Sequence, residues 1–316
     1  MVTYRPLAPE ELRPALRLVL DRYDGGRRVV EAQVDATLSY IAASGLSIDR
    51  QWGAFEGRQL VEACLCIASP GRSATLFLPD MAGGRHNPAI VVSLLQHIVA
   101  DAPARDIRLL QAMLAPSAAE EESILSHAGF RFLAELIYMQ RDAASLFSIS
   151  SAPPRLSWVT YSDERYALFA ETVAATYQDS LDCPGLAGLR AIEDVMASHR
   201  AAGEFDARRW FVATDGGAPA GVLLLNRVPG RDALDVVYMG LVAHYRKRGL
   251  GREILHQAVK VARDHGFGQI TLAVDAANTP ALRLYQGCGF VETMRRRAWI
   301  AASGPGGSAE KMRRQG

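Results

Sequence analysis

The 316-residue chain carries almost no net charge, +1 at neutral pH, and so lacks the basic footprint that nucleic acid and anionic membranes reward. Any positive charge that matters must be local. Cysteine is scarce: Cys64, Cys66, Cys183 and Cys288 make no paired metal-ligand spacing, and Cys64-Leu65-Cys66 reads as alternation along a strand. Reduced structural thiols and no metal site are expected. No apolar run reaches the roughly 18 residues of a membrane helix, and "MVTYRPLAPEELRPAL" has no basic segment leading into an apolar one. A cytoplasmic protein with no nucleic-acid or membrane partner is expected. Two nucleotide signatures are missing as well. Gly249-Leu250-Gly251 is not followed by the third glycine of a dinucleotide fingerprint, and no Gly-Lys-Ser/Thr closes a Walker loop.

What is present is ordinary globular composition, 49% hydrophobic and 22% charged, in a chain about twice a typical domain. The best linker is "SISSAPPRLSW", Ser148 to Trp158, and the same order of elements stands on each side of it. "QWGAFEGRQLVEACLCIAS" and "RRWFVATDGGAPAGVLLLNRV" each read as strand, glycine turn and strand. Gly57 and Gly217 lie about 160 residues apart, as do Gly129-Phe130 and Gly289-Phe290. That offset predicts a duplicated domain, with residues 1–147 as one copy, 148–302 as the other, and a Gly-rich, charged tail over 303–316.

In the second copy, "ALDVVYMGLV" reads as a strand and Gly249 to His265 as an amphipathic helix with Ile254, Leu255, Ala258, Val261 and Ala262 on one face. "GQITLAVDAAN" is a strand, "TPALRLYQGCG" a short helix with Pro280 in its first turn, and Phe290 opens a last strand. This alternation implies an α/β domain with helices packed on a mixed sheet. Between the first strand and the long helix stands Arg246-Lys247-Arg248-Gly249-Leu250-Gly251. The first amides of a helix have no internal partners, and the macrodipole adds about half a positive charge there. Glycine lets the backbone approach a ligand closely and the neighbouring cations attract an anion, so a diphosphate fits. A plain helix start with solvated cations is the other reading of that segment.

Arg246-x-x-Gly249-x-Gly251 after a strand, followed by Asn278-x-x-Ala281-x-x-Leu284-Tyr285-x-x-x-Gly289-Phe290, resembles the GCN5-related N-acetyltransferase (GNAT) family over most of residues 208–300. The resemblance implies two tandem acyl-CoA N-acyltransferase domains, each a mixed, mostly antiparallel sheet flanked by helices, and acetyl-CoA as co-substrate. It assigns the diphosphate to Arg246, Lys247, Arg248, Gly249, Leu250, Gly251 and Arg252. The pantetheine arm falls to Met239, Leu241 and Val242 on a strand that splays from its neighbour. The acceptor amine attacks the thioester directly, which needs a base for the ammonium and an acid for the departing thiolate. Tyr285 stands where the family places the acid, or is a core tyrosine. Asn278 touches the cofactor, or caps its helix. Asp235 is the candidate base, or an edge aspartate near the Arg231-Asp232 turn, with Tyr238 and Glu171 as weaker alternatives.

At the same offset, the first copy has His86 for Arg246, Ala89 for Gly249, Val91 for Gly251 and Leu125 for Tyr285. Pro88 removes a loop amide and Pro79 another near the strand end. A degenerate first copy without cofactor, and a pseudo-dimer within one chain, are therefore expected. The reading is an N-acetyltransferase acting on a small-molecule primary amine. A peptide N-acetyltransferase and a non-catalytic acyl-CoA sensor are its rivals. Glu171, Tyr177 and Asp179 are candidates for lining the acceptor site.

Overall fold

The computed structural model describes residues 1–20, 31–82, 84–145 and 155–303, so most of the linker and nearly all of the tail expected from sequence lie outside the described residues. In chain order the elements are β1 (Val2–Pro6), α1 (Leu12–Leu20), α2 (Glu31–Ala43), β2 (Trp52–Glu56), β3 (Gln59–Ser69), β4 (Ser73–Phe77), α3 (Pro88–Asp101), β5 (Leu109–Leu114), α4 (Ala119–His127) and β6 (Arg131–Asp142). The second series is β7 (Ser157–Thr160), α5 (Tyr166–Tyr177), α6 (Ile192–Ala201), β8 (Trp210–Asp215), β9 (Ala218–Arg227), β10 (Ala233–Leu241), α7 (Leu250–Asp264), β11 (Gln269–Asp275), α8 (Thr279–Gly287) and β12 (Val291–Ala302). The 160-residue offset relates the starts of β4 and β10, β5 and β11, α4 and α8, and β6 and β12. The duplication legible in sequence is a duplication of fold.

The chain forms two compact units, one of Met1–Leu133 with Arg297–Gly316 and one of Ala134–Arg296. In the first, strands run in the order β1-β2-β3-β4-β5-β12, with β4 and β5 parallel and the other pairs antiparallel. The second has the same plan, β7-β8-β9-β10-β11-β6, with β10 and β11 parallel. Each unit therefore takes in the last strand of the other repeat: β12 pairs with β5 in the first unit and β6 with β11 in the second.

Both faces of each sheet are covered. In the first unit Cys64 and Cys66 enter the core with α3 and α4, while Leu65 joins the core with α1. The alternation read from Cys64-Leu65-Cys66 holds, but all three side chains are buried. In the second unit α7 lays Ile254, Leu255, Ala258, Val261 and Ala262 against Leu223, Leu225 and Ile270, each large side chain contributing roughly 1.5–3 kcal/mol. The opposite face packs Phe169 and Val173 of α5 and Met196 of α6 against Trp210, Val222 and Leu224. The β8–β9 turn uses Gly216 and Gly217, both at positive φ, as a tight hairpin requires. Among the described residues no helix is long and apolar enough to cross a membrane.

Candidate active site

The second unit's sheet opens at β10. Its parallel pairing with β11 covers only Ala233–Asp235 against Gln269–Thr271. Beyond that, β10 follows β9 to Leu241 through a register shift between Val236 and Tyr238, while β11 follows β6 to Asp275. A bulge bends its strand and increases the local twist, so the two strands diverge past Asp235 and Thr271. The Val242 amide donates to the Ala220 carbonyl at 3.0 Å, which fixes the ladder's phase. Alternate residues of an antiparallel strand turn their N–H and C=O away from the partner, and here those are Leu241 and Met239. Of the three residues expected along this edge, Met239 and Leu241 thus aim their amides into the gap, whereas the Val242 amide is already bound to β9's side.

The gap leads to the cationic loop. Lys247 takes a left-handed conformation at φ 62° and Gly249 at φ 81°, and the chain then enters α7. Among the described residues, the amides of Lys247, Arg248, Gly249, Leu250 and Gly251 meet no protein acceptor, whereas the Arg252 amide bonds back to Gly249 at 3.1 Å. Successive amides turned one way by left-handed residues make a concavity for an anion, and the start of α7 adds its dipole. Lys247 and Arg248 are exposed beside it. Gly251 is close-packed, since a Cβ there would lie 2.9 Å from the Leu284 side chain of α8.

Arg246 behaves differently from its neighbours. Its Nε donates to Leu241 O at 3.0 Å, Nη1 to Asp179 O at 2.8 Å, and Nη2 to Thr176 O at 2.8 Å and Gln178 O at 2.7 Å. The guanidinium fastens the loop to the orphan carbonyls at the end of α5. Asn278 accepts from the Ala281 amide at 3.3 Å and caps α8.

Asp235 and Tyr285, the two candidate proton-transfer groups, lie in different surroundings. Asp235 accepts a 2.5 Å hydrogen bond from the Thr271 hydroxyl, and burial raises its pKa against the smaller, opposite effect of that bond. Tyr285, on α8, is 8% exposed within the apolar core, and its hydroxyl has no protein partner among the described residues. Burial, then Asp182, Tyr238 and Cys288, push its pKa up, so it stays a proton carrier across the neutral range. Tyr238 is engaged by Thr176 at 2.8 Å and stacks on His199 with ring centroids 5.2 Å apart. Burial, reinforced by Arg190, lowers His199 to about 4, so its ring is neutral near pH 7. Glu171, Asp179 and His244 are exposed. Tyr177 is partly exposed, and its hydroxyl meets His199 Nε2 at 3.3 Å. Cys288 is buried, and burial raises its pKa, which is opposite to the activation a nucleophilic thiol needs.

Sequence reasoning missed a carboxylate pair. The Asp275 amide donates to Asp182 Oδ1 at 3.1 Å, and the Cys183 amide returns a bond to Asp275 Oδ2 at 3.1 Å. This clasp holds the loop after α5 against the end of β11. Burial raises Asp182, and Asp275 adds to the rise while its amide bond opposes it. The only local signal was Asp275-Ala276-Ala277-Asn278, where Asp275 also accepts from Ala277 at 2.9 Å in a side-chain turn.

The first unit shows what became of the matching loop. His86, the counterpart of Arg246, meets Glu62 of β3 at 2.7 Å, and the other oxygen of that carboxylate accepts from the Asn87 amide at 2.7 Å. Asn87 caps α3 through the Ala89 amide, with Pro88 next. An internal carboxylate thus takes the Asn87 amide just before this helix.

A parallel pair that splays beside an open amide loop and a helix is the arrangement that the GNAT resemblance implies, and comparison with known proteins extends the likeness. The Acetyltransferase (GNAT) family model matches residues 173–290. The match lies within the second unit, Ala134–Arg296. A 56-residue segment is 38% identical to the mycothiol acetyltransferase of Corynebacterium glutamicum; it covers 18% of this chain and 19% of that protein. The matched segment therefore spans about a fifth of that relative's length. A GCN5-related N-acetyltransferase from Sphaerobacter thermophilus superposes with a TM-score of 0.62 at 15% identity, covering 95% of each chain. A tandem GNAT protein from the clavulanic acid biosynthesis pathway superposes at 0.52 with 18% identity, covering 96% of this chain and 99% of that one. These two likenesses concern the fold alone.

Proposed function

We propose that the second unit, Ala134–Arg296, binds acetyl-CoA and transfers its acetyl group to the primary amine of a small molecule. The observation that carries this reading is the run of five consecutive amides, 247–251, that meet no protein acceptor among the described residues at the mouth of the β10–β11 gap. They receive the diphosphate together with Lys247, Arg248 and Arg252, while Arg246 holds the loop in shape. The open edge at Met239 and Leu241 pairs with the pantetheine amides. Asp235, at the closed end of the gap, takes the ammonium proton directly or through water. The freed amine attacks the thioester carbonyl, and Tyr285 gives its proton to the departing thiolate. In the first unit, Glu62 takes the place of an external anion, so that loop holds no cofactor.

Mixing the protein with acetyl-CoA and a panel of amines and peptides, with release of the CoA thiol as readout, tests the reading. Small amines should be turned over faster than peptides, and Tyr285→Phe should lower kcat on the order of 100-fold without changing the acetyl-CoA dissociation constant. Binding without turnover of any amine or peptide would identify a sensor instead.

A further inference from the structure

The face of the second sheet toward α5 and α6 has an opening in it. Along β11, Ile270, Leu272 and Val274 enter the core beneath α7, so Thr271, Ala273 and Asp275 point the other way. Ala273 is exposed although β11 lies between β10 and β6, an unusual place for an uncovered side chain. Its surroundings follow from register. Thr271 is level with Asp235 on one side and Gln140 on the other, and Ala273 is level with Tyr138 of β6. Asp235 shares a row with Asn226 and Tyr238 with Leu224. Both partners belong to the α6 side, Leu224 through its core and Asn226 through its bonds to the His199 and Ala202 carbonyls. The bulge therefore puts Asp235 and Tyr238 on the same face as Ala273.

Tyr138 is the remaining wall. Its hydroxyl meets no protein partner among the described residues, and it senses Asp235 and Arg296 electrostatically while partly buried. It arrives on β6, the last strand of the first repeat, which completes the second unit's sheet. Side chains opposite each other on adjacent strands are direct neighbours, and Asp235 lies two strand spacings, about 10 Å, from the β6 backbone. A tyrosine leaning over an alanine spans much of that distance.

We propose that the acceptor amine sits over Ala273, between Asp235 and Tyr138, so that a residue of the first repeat positions the substrate acetylated by the second. This rests on the acyl-transfer reading above and adds to it the acceptor's seat. Ala273 sets the depth of that seat, and the Tyr138 hydroxyl, facing a carboxylate that carries off the amine's proton, bonds the acceptor beside the reacting nitrogen. Tyr138 is a positioning residue; Ala273 determines which stems fit.

The test uses the full chain, acetyl-CoA, and the amine turned over fastest in the panel. Ala273→Leu is expected to raise the amine KM at least tenfold while the acetyl-CoA dissociation constant, measured by calorimetry, stays at the wild-type value. Tyr138→Phe is expected to raise the amine KM several-fold at unchanged kcat and unchanged acetyl-CoA affinity, a split that a general loss of structure would not give. Wild-type amine kinetics in both Ala273→Leu and Tyr138→Phe would overturn the proposal. A wild-type protein that transfers to no amine would instead overturn the acyl-transfer reading, and the seat with it.

Discussion

At the residue scale, Asp235, the base in the proposed function, is a cost to the fold. Burial favours its protonated form, so its folded pKa exceeds its unfolded value. Between the two values the native state binds more protons than the unfolded chain, and stability falls as pH rises through that window. Above it the buried charge is a constant burden. Asp235→Asn should therefore melt higher than wild type at neutral pH, with the gain disappearing in acid, while activity falls on the order of 100-fold. In the wild-type protein the acid limb of kcat/KM should lie above the ordinary aspartate pKa of about 3.9. Thermal melts at several pH values and a pH–rate profile check both statements. The carboxylate was legible from its place before "VVYMGLV"; its partner Thr271 was not, because 36 residues separate them and the pairing depends on strand register.

At the scale of elements, the junction of β10, loop and α7 was readable almost residue by residue, since a strand, a cationic glycine loop and an amphipathic helix follow one another in the chain. What the string could not show is where each cation goes. Arg246 looks like Lys247 and Arg248 on paper, yet its donors are used on the carbonyls of Leu241, Thr176, Gln178 and Asp179. Hydrogen bonds to charged groups are each worth about 1.5–3 kcal/mol, so Arg246→Ala should lower the melting temperature and raise the acetyl-CoA KM together. Lys247→Ala should raise the KM alone, with a shallower salt dependence. Parallel melts and kinetics at two ionic strengths separate the cases. For Asn278 the sequence allowed a cap and a cofactor contact, and the cap at Ala281 is present.

At the scale of the molecule, the duplication was visible as a constant offset, but the exchange of final strands left no local trace. β6 and β12 each read as the ordinary last strand of its own repeat, and only pairing reveals that β11 is completed by β6 and β5 by β12. Truncation after Arg296 should therefore destabilise the first unit, where Trp299 and Ala301 belong to the core, rather than the unit whose repeat was cut. Hydrogen exchange, with protection lost from β5 before β11, is the measurement.

Glu62 carries a consequence of a different kind. A loop that closes on its own carboxylate is permanently saturated, whereas one that waits for a dissolved anion is stabilised only as far as mass action allows, by about 2.7 kcal/mol at a ligand concentration 100 times the dissociation constant. The two repeats thus answer differently to supply: acetyl-CoA should raise the unfolding transition of the second unit and leave that of the first where it was. On the proposed function, one repeat's stability is independent of acetyl-CoA supply and the other's is coupled to it.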